Sequence, residues 1–248
     1  MRGDEIWKRF DRRTQPHFLE LRRVAILLLR KLGDTAIARL RKDSPDNLDV
    51  KASKIDLPNG ARVAVEWWQD MEPVEQRTLF DAGVAGVADA GGIDPFNLYD
   101  PKVTGFLKAR KVQIVTVAEG HVGDIRATLA QGYEAGETVR ELTQRVETWQ
   151  DLAEYKAERI ARTEVGSAAN AGALEGYRQA GSEWKEWIAT RDSRTRDGHA
   201  ALDGKVIPIG DDFSDPVTGA TGPAPGQMSK ASSSVNCRCA IAPADAPE

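Results

Sequence analysis

Two short clusters in the last third of the chain hold the side chains best suited to chemistry. One runs Trp187-Ile188-Ala189-Thr190-Arg191-Asp192-Ser193-Arg194-Thr195-Arg196-Asp197-Gly198-His199, and the other is Asn236-Cys237-Arg238-Cys239. Both cysteines of the chain lie in the second cluster, and one of its three histidines lies in the first. With residues 235–241 read as a strand, Val235, Cys237, Cys239 and Ile241 alternate with Asn236, Arg238 and Ala240, so both sulfurs share one face. Two thiolates on one face can bind one zinc ion with His199 as a third ligand, and Asp192, Asp197, Asp203 or water could complete four-coordination. Simple burial also fits, because a free cysteine packs as a small hydrophobe. One Cys-x-Cys with a distant His is a weaker signal than doubled Cys-x-x-Cys pairs, so the spacing favours packing over a structural zinc.

Arg191, Arg194 and Arg196, with Asp192 and Asp197 between them, could bind phosphate. Alternating signs over so short a span favour an internal salt-bridge network instead. Arg162-Thr163-Glu164 falls inside a helical stretch. If that helix packs under the strands, Arg162, Glu164, Asp192, Arg194 and Arg196 form one structural network. A catalytic reading would make Glu164, Asp192 or His199 a general acid or base. The sequence supplies no second His nearby, no nucleophile elbow, no P-loop and no Gly-rich dinucleotide fingerprint. His17 and His121 lie in helical stretches and read as surface or interface residues. The expectation is a protein that is not an enzyme.

The elements that must position these residues are mainly helical. Ile6, Phe10, Phe18, Leu21, Ala25, Leu28 and Leu29 recur at helical spacing, with Pro16 expected to break the helix and Gly33 to interrupt it. Asp43 to Asn47 and Leu57 to Gly60 are rich in turn formers, and Ala61 to Trp68 has no clear type. Glu75 to Ala90 reads as a helix ending at Gly91-Gly92. Capping boxes at Thr116-Val117-Ala118-Glu119 and Thr138-Val139-Arg140-Glu141, and an Asp151 start, announce three further helices. The third carries the small-residue run Gly166 to Gly172, which lets another backbone approach closely. Trp184 to Thr190 and Lys205 to Ile209 read as strands, followed by a long loop, Gly210 to Ser234, expected to be functional, mobile or docked on a partner. The fold class is α+β: a mainly helical body and N-terminal arm with a small C-terminal β-sheet. The expected division is a basic arm and linker at 1–75, a helical body at 76–181 and a small α+β part at 182–248.

The 248 residues can bury a core, and the two cysteines cannot make a disulfide framework. Two residues apart in a strand, their Cα atoms would be roughly 6.5–7 Å apart, at the edge of disulfide geometry. Reduced thiols in a cytoplasmic setting follow. The start lacks the apolar core of a signal peptide, and the run Val24 to Leu29 is far too short to span a bilayer. Residues 1–43 hold 12 Lys or Arg against 6 Asp or Glu, whereas the whole chain carries −4. A basic arm on an acidic body implies a polyanionic or acidic partner, with Arg9, Arg12, Arg13, Arg22, Arg23, Arg30 and Lys31 as candidate contacts to DNA or protein. The alternative is a solvated helix face.

Ile160-Ala161-Arg162-Thr163-Glu164-Val165 with Asn170 and Gly172, then Tyr177, Gly181, Trp187, Ala189-Thr190, Asp192-Ser193-Arg194-Thr195-Arg196 and His199 carry a family pattern. It continues through Leu202-Asp203-Gly204, Pro225-Gly226 and Asn236-Cys237-Arg238-Cys239. In this order and spacing, over about residues 100–243, the chain resembles the phage Mu protein F-like family of minor head and head-morphogenesis proteins. The resemblance implies a structural protein of the capsid interior, associated with the portal. It acts in head assembly, DNA packaging or DNA ejection. Implied partners are the portal protein, with scaffold, major capsid protein and phage DNA beside it, and no membrane. The implied location is the host cytoplasm during assembly and the virion afterwards. The family also leads some toxins, joined to a separate enzymatic domain, for which a chain ending at Glu248 leaves no room. The competing expectation is a metal-dependent, nuclease-like enzyme acting on DNA through Asp192, His199 and the cysteines.

Overall fold

The computed structural model describes residues 2–42, 48–49 and 59–247. The turn expected at Asp43 to Asn47 and the start of the one at Leu57 lie outside the described residues. Among the described residues, seven helices and five short strands follow in the order α1 (Arg2–Arg41), α2 (Gly60–Asp89), α3 (Pro101–Glu134), α4 (Val139–Asp151), α5 (Ala153–Gln179), β1 (Trp184–Ile188), α6 (Asp197–Leu202), β2 (Val206–Pro208), β3 (Phe213–Ser214), β4 (Thr221–Gly222), α7 (Ala231–Ser234) and β5 (Ala240–Ala244). The protein is mostly helical with a small C-terminal antiparallel sheet, the α+β class read from the sequence. Two compact units are each assembled from non-consecutive segments: Met1–Leu21, Pro73–Lys108 and Arg159–Glu248 form the first, Arg22–Glu72 and Ala109–Glu158 the second.

Several expected interruptions are absent. Pro16 lies inside α1. A proline in a helix interior costs about 3 kcal/mol, but α1 buries Leu21, Ala25, Leu28, Leu29 and Leu32, so packing overrides the break. Gly33 is a site of close approach. A Cβ there would collide with the Gln150 side chain, whose amide donates to the Arg30 carbonyl and to Asp34, each at 2.9 Å. Thr116 to Glu119 starts no helix. The helix begins earlier, where Pro101 takes the first position and the Asp100 side chain accepts from the Lys102 N–H at 2.8 Å. Thr116 instead donates its hydroxyl to the Val112 carbonyl within α3. The box at Thr138 is formed as expected, both reciprocal bonds included, and it opens α4. Asp151 closes α4, and α5 begins two residues later.

In the second unit, the α1 and α2 halves meet α3 and α4 around His121, which packs at 5.6 Å from Trp67 and edge-on at 5.9 Å from Trp149. In the first unit, α2 and α5 touch through glycines. A Cβ on Gly172 would overlap the Leu79 carbonyl and Gly83, one on Gly176 would overlap the Gly83 carbonyl, and one on Gly86 would overlap Ala173. The small-residue run of α5 therefore does what its composition implies: it brings two helix backbones into contact.

Strand order in the three-stranded sheet is β2-β1-β5, antiparallel throughout, with Trp187 opposite Ile241 and Ile188 opposite Ala240. Trp187 is fully buried, edge-on to Phe213 at 5.1 Å and to His199 at 5.2 Å. The first turns of α1 dock on the sheet: Ile6, Trp7 and Phe10 pack against Ile188, Ala240 and Ala242, and the Trp7 indole donates to the Arg238 carbonyl at 2.9 Å. The stretch Gly210 to Ser234 is neither structureless nor loose. It contains the β3–β4 hairpin and α7, and the buried Lys185 ammonium donates to the carbonyls of Asp211 at 2.6 Å and Pro223 at 2.8 Å. Burial lowers the Lys185 pKa to about 8, with the nearby Arg178 charge acting in the same direction.

The α2–α5 contact predicts opposite outcomes for two glycine replacements in the first unit. Gly172→Ala should lower unfolding free energy in urea by about 1–3 kcal/mol through overpacking. Gly105→Ala on α3, where a Cβ meets nothing within 4 Å, should raise it by about 0.5–1 kcal/mol. Equal stability of both variants would remove the close-approach argument.

Candidate metal centre

The cysteines do not lie in a strand. The last strand, β5, starts at Ala240, and Cys237 and Cys239 precede it in a turn whose residue Asn236 has φ of 60°. Asn236 tolerates this left-handed conformation better than most residues. Its N–H donates to Thr163 and its side chain accepts from Arg162, each at 2.9 Å, so α5 fixes the turn. His199 comes from the six-residue helix α6, which the sequence reading did not anticipate.

The turn and α6 bring three donors together. His199 Nδ1 lies 3.5 Å from Cys237 Sγ and 3.6 Å from Cys239 Sγ, and all three residues are buried. Their ligand atoms lie within 4.8 Å of one another, a grouping that can hold a metal ion such as zinc. The rest of the His199 ring makes no polar contact: among the described residues Nε2 is buried without a hydrogen-bond partner. Contact with Cys239 lowers the Cys237 thiol, while contact with Cys237 and burial push Cys239 upward.

Asp192 stands outside this grouping. Both of its oxygens are taken by the Arg238 guanidinium, at 2.5 and 2.7 Å, and the Arg194 N–H adds a bond at 3.0 Å. The Arg238 hydrogen bonds hold this carboxyl far below the usual carboxylate range, against the opposing effect of burial. Arg194 reaches Asp192 at 3.6 Å, and Arg196 donates to the Val235 carbonyl at 2.6 Å. Arg162 meets Asn236, and Glu164 is buried on α5. Arg191, beside this group, pairs with Asp203 at 2.7 Å, and Asp203 also accepts from the Ala189 N–H.

Several members of the site were given no role from the sequence, although Arg238, Asn170 and Tyr177 belong to the family pattern. Arg238 lies between the two cysteines and is the main partner of Asp192. Asn170 on α5 bridges to the Cys239 carbonyl at 3.1 Å and accepts from the Ile241 N–H at 3.2 Å. Ser167 and Tyr177, on the same helix, donate to the carbonyls of Gly226 and Ile241, each at 3.1 Å. Asp215 is buried and accepts from Val217 and Thr218 N–H groups and from the Ser233 hydroxyl. Asp215-Pro216-Val217-Thr218-Gly219 is a turn signature that could have revealed it.

The arm cations are largely engaged. Arg9 and Arg13 meet Asp89 at 3.2 and 2.6 Å, Arg22 and Arg30 meet Glu154 at 3.2 and 3.9 Å, and Lys31 meets Glu66 at 2.8 Å. Arg12 and Arg23 are exposed and make no ion pair among the described residues. No described helix is long and apolar enough to cross a membrane.

These features define an α+β module whose buried polar and thiol groups tie a C-terminal sheet to a central helix. Residues 123–242 match the family described as Phage Mu protein F like protein, and the chain carries a domain of that family. It is similar to the "Minor head protein GP7" of Bacillus phage SPP1, 39% identical over 123 residues, which are 48% of this chain and 40% of that protein. It is also similar to the "NAD(+)--arginine ADP-ribosyltransferase EFV" of Enterococcus faecalis (strain ATCC 700802 / V583), 34% identical over 128 residues, which are 50% of this chain and 25% of that protein. The matched segment thus spans less than half the length of either relative. No solved structure matches the chain.

Asp215 sets a pH dependence. Burial raises its pKa, but hydrogen bonds from Ser233, Thr218 and the backbone outweigh this and hold it at about 2, below its ordinary 3.8. A depressed carboxylate stabilises the fold fully above its unfolded value and loses that contribution as pH falls through its folded value. Urea midpoints should therefore fall as pH drops from 3.8 toward about 2, and Asp215→Asn should flatten this fall while lowering the midpoint at neutral pH. An unchanged acid profile in the variant would contradict the assignment.

Proposed function

We propose that this chain is a minor head protein of a tailed phage. It acts in the capsid interior at the portal vertex during head assembly, DNA packaging or ejection. The observation that carries this reading is the 39% identity over 123 residues to a phage minor head protein, beside the Mu F-like match at residues 123–242. The portal protein is the proposed primary partner, with scaffold, major capsid protein and phage DNA as further contacts. On this reading the chain is made in the host cytoplasm and ends in the virion.

The role is structural rather than enzymatic. Asp192, the carboxylate most suited to a metal-dependent nuclease, is committed to Arg238, and the His199, Cys237 and Cys239 side chains are buried. The group serves the fold as a metal-holding staple between α6 and the turn before β5. The transferase activity named for the enterococcal relative belongs to a protein of which the matched segment is a quarter.

Because the arm cations are mostly neutralised within the chain, the proposed DNA or partner contact falls on Arg12 and Arg23, exposed arginines that make no ion pair among the described residues. Mass spectrometry of heads assembled with and without the portal protein tests the reading. The chain should enter portal-containing heads in few copies, and Arg12→Glu/Arg23→Glu should lower its incorporation while leaving its melting temperature unchanged. Equal incorporation without the portal would refute portal binding. Chelator-sensitive DNA cleavage by the purified protein would refute the structural role.

A further inference from the structure

We propose that the His199–Cys237–Cys239 group is a zinc site, bound as two thiolates and the Nδ1 of a neutral imidazole, with water at the fourth position. This rests on the reading of that group as a structural staple and names its occupant.

The distances carry the argument. With zinc–sulfur bonds of about 2.3 Å and zinc–nitrogen bonds of about 2.0–2.1 Å, tetrahedral angles place a sulfur and a nitrogen on one ion about 3.5–3.6 Å apart. The two Sγ–Nδ1 separations are 3.5 and 3.6 Å. Both sulfurs therefore stand where a shared ion would put them relative to one nitrogen. A hydrogen-bonded cluster explains this less well. Neutral imidazole presents a single lone pair at its unprotonated nitrogen, which one S–H can use, yet two sulfurs converge on it equally.

Charge points the same way. Zinc binding converts two thiols to thiolates and releases their two protons, and the two negative charges cancel the dication. The loaded cluster is neutral, as burial demands. Adding Asp192 as a ligand would leave a net negative charge, and Asp192 is held instead by Arg238. Soft sulfur donors exclude calcium and magnesium, which take oxygen ligands.

The test is elemental analysis of the full chain from zinc-replete cells, beside Cys237→Ser/Cys239→Ser. The expected result is about one zinc per wild-type chain and roughly tenfold less in the double variant. Cobalt loading of the wild type needs no variant to fold: it should give a thiolate-to-cobalt charge-transfer band with tetrahedral d–d absorption. Wild type without zinc, zinc retained in a folded double variant, stoichiometric copper, or cobalt without a thiolate band would each overturn the proposal. Melting curves of loaded and chelated wild type separate the two readings. Stoichiometric zinc with no change in melting temperature would uphold the zinc assignment and sink only the staple.

Discussion

Asn170 sits on the inward face of α5, 1% exposed, and spends its side-chain amide on the backbone of the chain's last strand region. It donates to the Cys239 carbonyl, accepts from the Ile241 N–H, and returns its remaining described bond to Gly166 one turn earlier. A buried amide without partners would cost several kcal/mol by transfer estimates, so these bonds permit essentially one placement of residues 239–241 on the helix. The rest of the C-terminal module inherits that placement. Trp187 pairs with Ile241 across the sheet, His199 stacks edge-on to Trp187, and the cysteines arrive beside the imidazole.

Ser167 and Tyr177 extend the same device along α5, tying down Gly226 and Ile241 by their carbonyls. One helix thus reads out the position of the long segment between β2 and β5 through side chains at several turns. Lys185 does so from the strand side, through the carbonyls of Asp211 and Pro223. A segment with two-residue strands and a four-residue helix cannot hold itself by backbone ladders. It is held by buried polar groups borrowed from its neighbours, and a metal at His199, Cys237 and Cys239 would belong to the same economy of ties. The chemically suggestive residues of this Mu F-like domain face inward.

Local rules made part of this legible. The Thr138 box, the glycine stop at Gly91 and the strand starting at Trp184 depend on neighbouring residues, and each appears where the sequence places it, although the strand ends at Ile188 and not at Thr190. The grouping of His199 with the two cysteines was legible by residue type, although the sulfurs meet through a turn at Asn236 and not along a strand. Other features depend on partners distant in sequence. Thr116 to Glu119 has the letters of a helix start, but a stronger start at Asp100-Pro101 leaves it in mid-helix. Pro16 and Gly33 have the letters of breaks, and tertiary packing overrides both. That Asp192 chooses Arg238 over nearer arginines is decided by the fold of the turn, which no spacing encodes.

The central claim is that residues 237–242 are fastened to α5 and open only when the domain unfolds. Amide hydrogen exchange at Ile241 measures this directly, since its N–H is the one Asn170 accepts. The account predicts protection equal to that of the α5 core amides, lost selectively in Asn170→Leu. Fast exchange at Ile241 in the wild type, with α5 still protected, would show that the C-terminal segment opens on its own and would contradict it.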